Sequence, residues 1–304
     1  MMPHAPVLLA EVLDLMNIEP GGHYLDATFG RGGHSQAILH KLDSSGRVTV
    51  FDRDPEAIAV ANSLSKDDCR VQVRHSQFSM MGQYADLAVG EMDGILFDLG
   101  LSSPQIDDRN RGFSFKNDGP LDMRMDPAND MSAREWINSA PEREISDVLW
   151  KYGEERASRK IAKVIIEQRK VAPITSTMSL AKLIRGCTRF NRSKIDPATK
   201  SFQAIRIHIN NELVEIENGI ESAIKLLKLG GRLLVISFHS LEDRIVKHRF
   251  RDLDYIARES AKDNSQQIPS FRLVKPKLIR ASTNEKKINP RSRSARLRSI
   301  ERCL

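Results

Sequence analysis

The sequence predicts an α/β fold, a mostly parallel Rossmann-like sheet interrupted by an all-helical insertion. Three observations predict it. Tyr24–Ser35 (YLDATFGRGGHS) passes from a β-prone run through three glycines, Gly30, Gly32 and Gly33, into the helical pattern of Ser35–Leu39. Three strand-like runs each end on an acid, Asp26, Asp52 and Asp98. About 130 residues of largely helical character then separate Asp98 from the next core strand, whereas a simple crossover needs roughly 30.

In chain order, Leu8, Val12, Leu15 and Met16 recur at helical spacing, so Pro6–Ile18 is expected to be a helix that Gly21-Gly22 ends. The glycine turn follows. Glycines let backbone N–H groups approach a nucleotide-like ligand, and a helix N-terminus adds partial positive charge. The next strand, Arg47–Phe51, leads to Asp52, twenty residues after Gly32, where a carboxylate can accept both ribose hydroxyls. Asp54-Pro55 reads as an N-cap with proline at the first helical position. Arg70–Val73 is a third short strand. Phe78 beyond it suits either a base edge in the ligand crevice or a core aromatic. Met92–Asp98 is a buried fourth strand. Ligands of open α/β sheets sit at the carboxyl ends of the strands, so the three acids point at one crevice.

The insertion begins with a polar, Gly/Pro-containing stretch, Asp98–Pro127, that carries Phe113, Phe115, Leu121, Met123 and Met125. Its apolar content argues for an ordered active-site loop. Helices are then expected from the capping box Ser132–Glu135 and over Glu142–Trp150, Glu154–Arg169, Ser179–Arg185 and Ala198–Asn210. A helix from Glu212 to Leu229, stopped by Gly230-Gly231, returns the chain to a fifth strand, Arg232–Phe238. The domains are thus residues 1–106, an inserted helical domain 107–210 and a returning part 211–304. After strand five, Ser240 and Asp243 are read as a helix cap, residues 258–272 as a mobile loop, and Ala295–Ile300 as a closing strand.

The chemistry of the turn narrows the ligand. The glycines run G-R-G-G-H after an acid inside the first strand, unlike the G-x-G-x-x-G of nicotinamide sites. S-adenosylmethionine (SAM) has no phosphates but carries an amino group and a sulfonium, which carboxylates suit. Composition sets further bounds. With 40% hydrophobic and 29% charged residues the chain reads as an ordinary globular protein, with no apolar run long enough to span a membrane and no signal-peptide pattern. Cys69, Cys187 and Cys303 show no C-x-x-C spacing, which predicts a reducing, cytoplasmic setting and no metal site. Net charge is +7, yet residues 275–304 hold ten Lys/Arg against Glu285 and Glu301, so the remainder sums to −1. Such an excess fits a polyanion, most simply RNA, or a solvated basic tail. Arg291, Arg293, Arg296 and Arg298 are expected to bind RNA phosphates.

Long blocks now resemble a known family, the MraW/RsmH ribosomal RNA small-subunit methyltransferases. These blocks are His4–Glu11, Asp26–Ser35, Asp98–Asp107, Gly112–Asp126, Ser237–Lys247 and Asn289–Arg298, and together they cover nearly the whole chain. Departures are slight: Ala27 stands for a common glycine and Ile106 for a common leucine. The resemblance implies a class I SAM-dependent methyltransferase with a seven-stranded sheet and an inserted helical domain. It implies methyl transfer to the exocyclic N4 of a cytosine, 1402 in the usual numbering, of 16S rRNA in the small ribosomal subunit. It also implies that Gly32, Gly33 and His34 contact the methionine end of SAM, Asp52 the ribose and Phe78 the adenine. Asp98 and Gln105 would meet the remaining polar groups. Apart from the resemblance, the need of a poorly nucleophilic amine for an oriented acceptor assigns Asp98 to the amino protons. The text after strand four, Asp98-Leu-Gly-Leu-Ser-Ser-Pro104, lacks the aromatic that amino-methyltransferases often place there, so base stacking is assigned to Phe113 or Phe115. A SAM-binding ribosome assembly factor with little methyl transfer is the second reading, and a homodimer stays open. A nicotinamide-dependent dehydrogenase is disfavoured by the glycine spacing and the basic C-terminal segment.

Overall fold

A computed structural model describes residues 6–188, 196–260 and 270–303. His4 and Ala5 of the first family block and residues 261–269 of the expected loop lie outside the described residues. The chain divides into two compact units, Met1–Gly100 with Leu213–Leu304, and Leu101–Glu212.

The first unit is built on seven strands: β1 (His23–Asp26), β2 (Arg47–Asp52), β3 (Val71–His75), β4 (Met92–Asp98), β5 (Leu227–Ser237), β6 (Phe271–Leu273) and β7 (Arg296–Arg302). Their order is β3-β2-β1-β4-β5-β7-β6. The pairings from β3 across to β5 are parallel, and β7 runs antiparallel to both its neighbours. Strand alternation divides the side chains between two cores. Tyr24, Leu96, Leu234 and Ile236 join the helices α1 (Leu9–Met16), α2 (Gly33–Leu39) and α3 (Pro55–Asp67). Leu25, Ile95, Phe97, Leu233 and Val235 face the opposite core, which includes residues of two further helices, Glu212–Leu226 and Ser240–Ser260.

The second unit holds α4 (Ser103–Asp107), α5 (Ala133–Ser139), α6 (Glu142–Gly153), α7 (Ser158–Val171), α8 (Thr177–Cys187) and α9 (Ala198–Ile209) around its own core. The helices that complete the first unit are therefore α10 (Glu212–Leu226), α11 (Ser240–Ser260) and the short α12 (Thr283–Ile288). The capping box predicted at Ser132 forms, with the Glu135 carboxylate accepting from Ser132 N at 2.7 Å. The Asp98–Pro127 stretch is ordered where it enters this unit. Leu121, Met123 and Met125 are buried in the unit's core. The Asn210 side chain accepts from Met125 N at 2.8 Å and donates to the Met123 carbonyl at 2.7 Å.

Several boundaries differ from expectation for physical reasons. The first helix stops at Asn17, whose left-handed φ of 50° ends it well before Gly21-Gly22. The helix expected to reach Leu229 ends at Leu226, because Leu227 pairs with Met92 and starts β5. Gly230-Gly231 lies inside that strand, where the register with β4 shifts. Residues 258–260 belong to α11 and 271–273 to β6, so the ends of the expected loop are regular structure.

The cap of α11 is displaced by one residue. His239 Nδ1 accepts from Glu242 N at 3.3 Å, while the Glu242 carboxylate accepts from Phe238 N at 2.7 Å and His239 N at 3.2 Å. Asp243 is released for another task. It accepts from Arg296 at 2.8 Å and from Arg298 at 2.7 Å, tying β7 to the start of α11.

Candidate functional site

The order of the sheet fixes where a ligand can bind. From β1 the chain proceeds outward to β2 and β3, then returns to β4 on the other side of β1. The crevice at the carboxyl ends of β1 and β4 is thus the topological switch point. Asp26 ends β1 and Asp98 ends β4, and the two strands are hydrogen-bonded neighbours. Asp52 ends β2 on the other side of β1.

The turn after β1 is held by its own small side chains. Thr28 Oγ1 accepts from Asp98 N at 2.6 Å, which fastens the turn to β4, and Phe29 N donates to the Phe51 carbonyl on β2. Gly32 sits at φ 75°, where a side chain would be strained and its Cβ would come within 2.5 Å of the Phe29 ring. A Cβ on Gly33 would meet Pro6 at 2.4 Å.

Each acid has a different environment. Asp26 is buried and accepts from Ser35 Oγ at 2.6 Å and Thr28 N at 3.2 Å. Burial pushes its pKa up, against the opposing pull of Ser35, His34 and Thr28. Asp52 accepts from Gly30 N at 2.8 Å through one oxygen and from Asp54 N at 2.9 Å through the other. Desolvation raises its pKa as well, partly offset by those two amides. A carboxylate has about four lone-pair sites, so Asp52 keeps two for a diol.

His34, in the first turn of α2, is 5% exposed, and its Nε2 lies 3.6 Å from Asp98 Oδ2. That is ion-pair distance, longer than a hydrogen bond. Burial would lower the pKa of His34, but Asp98 and then Asp26 outweigh it and hold the pKa above the usual value. Neither ring nitrogen of His34 has a hydrogen-bond partner, and neither does Asp98 Oδ1, although all three atoms are buried. Buried polar atoms are normally paired. Three orphans of this kind in one crevice fit a ligand that brings acceptors for the ring N–H groups and a donor or positive charge for the carboxylate.

The other expected site residues are placed as follows. Phe78 is half-buried in a 3₁₀ turn after β3. Its ring packs on Phe97 with centroids 4.8 Å apart and lies so close to Gly219 of α10 that a Cβ there would come within 2.4 Å of it. It is therefore in part the core aromatic that its spacing also allowed. Gln105 lies on α4 in the second unit, buried, with its carbonyl accepting from Ser102 N at 2.9 Å as a helix cap.

Phe113 is not an open stacking platform, and Phe115 is half-buried. Phe113 is buried in the helical core, with the Arg111 guanidinium 5.9 Å from its ring centre. Phe115 packs against Phe202 at 4.6 Å, with the Arg185 guanidinium 5.5 Å from its ring centre. Two of the four arginines expected on RNA phosphates, Arg296 and Arg298, are the partners of Asp243, which burial does not keep from a lowered pKa because both guanidiniums lie against it. Sequence reasoning missed Thr28 and Ser35 as structural parts of the site. The only signal was hydroxyl residues inside the glycine-rich stretch.

The profile of the MraW methylase family matches residues 1–303. The "Ribosomal RNA small subunit methyltransferase H" of Xanthomonas euvesicatoria pv. vesicatoria (strain 85-10) is 50% identical over 306 residues, covering 98% of this chain and 88% of its own. The protein of the same name from Xylella fastidiosa (strain M23) is 48% identical, covering 99% of this chain and 97% of its own. Among solved structures, an rRNA methylase from Streptococcus thermophilus aligns over 100% of this chain and 99% of its own, at 11% identity and a TM-score of 0.44. On the family match and these two relatives, the chain belongs to the MraW methylase family.

Proposed function

We propose that this protein transfers a methyl group from SAM to the exocyclic N4 of cytosine 1402 of 16S rRNA. The observation that carries the reading is the switch-point crevice, where Asp98 Oδ1 and both His34 nitrogens are buried without partners beside Asp26 and Asp52. The small-subunit rRNA activity named for the curated relatives supports the substrate. The N4 position rests on the resemblance of the sequence blocks.

Bound SAM supplies a methyl group made electrophilic by its sulfonium sulfur. Gly32, Gly33 and His34 hold its methionine end, Asp52 accepts the ribose hydroxyls through its two remaining lone pairs, and the exposed part of Phe78 meets the adenine. Gln105 is carried as a cofactor contact by the resemblance alone.

Cytosine N4 is a poor nucleophile because its lone pair is delocalised into the ring. Alignment of the amine is the larger contribution the protein can make. Asp98 contributes an acceptor for the amino protons as positive charge develops on nitrogen. The helical unit, Leu101–Glu212, is assigned to engaging the RNA. Among the described residues no helix is long and apolar enough to cross a membrane.

The test is transfer of labelled methyl from SAM to small subunits and to free 16S rRNA, followed by nucleoside analysis. N4-methylcytidine at a single position is expected. Label in another nucleoside, or none, refutes the assignment.

A further inference from the structure

We propose that His34 lets the site distinguish the cationic cofactor from its neutral thioether product. Its imidazolium balances Asp98 and Asp26 in the cofactor-free protein, and it gives up its proton to solvent when SAM binds. The inference rests on the cofactor reading above and goes beyond it by assigning His34 a charge that changes with the ligand.

Geometry carries the argument. His34 is buried on the first turn of α2, with Nε2 3.6 Å from Asp98 Oδ2. The charged groups that act on it come from two strands, Asp98 of β4 first and Asp26 of β1 after it. β2 and α1, which also pack against α2, contribute none that acts on it among the described residues. The one arginine of the glycine turn, Arg31, is exposed and paired with Glu56 at 3.4 Å. Among the described residues His34 is thus the cationic side chain at ion-pair distance from Asp98, with the buried Asp26 acting on it as a second negative charge. Burying carboxylates without a counter-charge is costly. Both ring nitrogens are free of hydrogen bonds, so no protein partner fixes the tautomer.

SAM brings a fixed positive sulfonium to those same carboxylates. The sulfonium takes over part of the counter-charge that held the proton on His34, and the imidazolium is the cation able to discharge. S-adenosylhomocysteine keeps the amino acid and nucleoside parts but has a neutral sulfur, so His34 can stay protonated beside it. Acidification should then weaken SAM more than the product. Between the pKa of His34 with SAM bound and its pKa without, the dissociation constant for SAM should rise about tenfold per unit fall in pH. The product's constant should stay nearly flat.

Isothermal titration calorimetry of the full chain tests this, with each ligand run in buffers of different ionisation enthalpy at matched pH between about 6 and 8, which spans the ordinary histidine range. The expected result is net proton release with SAM that clearly exceeds release with S-adenosylhomocysteine. In His34→Gln, with fold checked by circular dichroism, the difference should vanish. Equal proton counts for the two ligands, or none with SAM, overturn the proposal from the wild-type data alone, even if the variant does not fold. A folded His34→Gln that keeps the difference moves the proton to another group, such as Asp26, and overturns it too. Failure of SAM to bind at any pH is a separate outcome and sinks the cofactor reading itself.

Discussion

Asp52→Asn tests cofactor binding apart from folding. The carboxylate already accepts Gly30 N and Asp54 N, one through each oxygen. A ribose diol would fill its remaining two lone pairs. Asparagine leaves one oxygen, and its amide group must face either a backbone N–H or a ribose hydroxyl that sought an acceptor. The variant loses the charge and at least one hydrogen bond to the ligand. A hydrogen bond to a charged group contributes about 1.5–3 kcal/mol, so SAM affinity should fall roughly ten- to hundredfold.

Stability should respond differently. Burial already disfavours ionised Asp52 in the cofactor-free protein, so a neutral side chain relieves part of what losing one turn hydrogen bond costs. The net change in unfolding free energy should stay within about 1 kcal/mol. Calorimetric SAM titration and a cofactor-free thermal melt on the same preparation give both quantities. A change in affinity below about threefold would remove Asp52 from the ribose site, being too small for a charged hydrogen bond. An affinity loss matched by an equal stability loss would show that the glycine turn, and not the ribose contact, was damaged.

Asp98→Asn should keep the fold, because Thr28 bonds the backbone amide of residue 98 and not its side chain. Single-turnover methyl transfer at saturating SAM and RNA should nevertheless drop by about tenfold or more, and an unchanged rate would give the acceptor role to another group. Asp243→Ala leaves Arg296 and Arg298, which are 33% and 12% exposed, without their carboxylate. Breaking such a pair costs about 3 kcal/mol, so the melting temperature should fall by roughly 6–10 °C, and a shift under about 1 °C would deny the clamp any stabilising role. That pair should also weaken in acid: Asp243 has a lowered pKa, so its stabilisation is present above the unfolded carboxylate pKa and is lost as pH falls through the folded value. Lys287→Ala with Arg293→Ala, both exposed in the sequence-basic segment, should flatten the log–log salt dependence of RNA affinity by about 1.4 while leaving the melting temperature unchanged. An unaltered slope would remove this segment from the RNA surface.

How much of this was legible in the sequence depended on whether the cause was local. The glycine turn, the acids at three strand ends, the Asp54-Pro55 helix start and the Ser132–Glu135 box all follow from rules spanning a few residues, and all formed as read. Errors arose where a distant partner decided. Leu227 reads as helix until Met92 is available to pair with it. Ser240 and Asp243 look like a cap at the right spacing, but Asp243 has two arginines more than fifty residues away, and His239 with Glu242 takes the capping role. Phe113 and Phe115 carry no local mark that separates a core aromatic from a stacking platform; only the packing of Phe202, Arg111 and Arg185 around them does. Thr28 and Ser35 were invisible for a similar reason, since a hydroxyl in the glycine turn or on the helix after it acquires its partner only when β4 and Asp26 are in place.

In the basic C-terminal segment the net charge and the placement of individual cations are separate matters. Its excess is real, but a net charge does not say which cations face water. Arg296 and Arg298 stand on one face of β7, as alternation along a strand requires, and that face meets the start of α11, where Asp243 is 6% exposed. A strand inside a sheet has to satisfy its neighbours before it can serve a partner, and β7 has β5 on one side and β6 on the other. Lys275, Lys277, Arg280, Lys287 and Arg293 precede that strand and are exposed. The exposed cations named here therefore lie in residues 275–293, upstream of the strand, while Arg296 and Arg298 within β7 tie the sheet to α11.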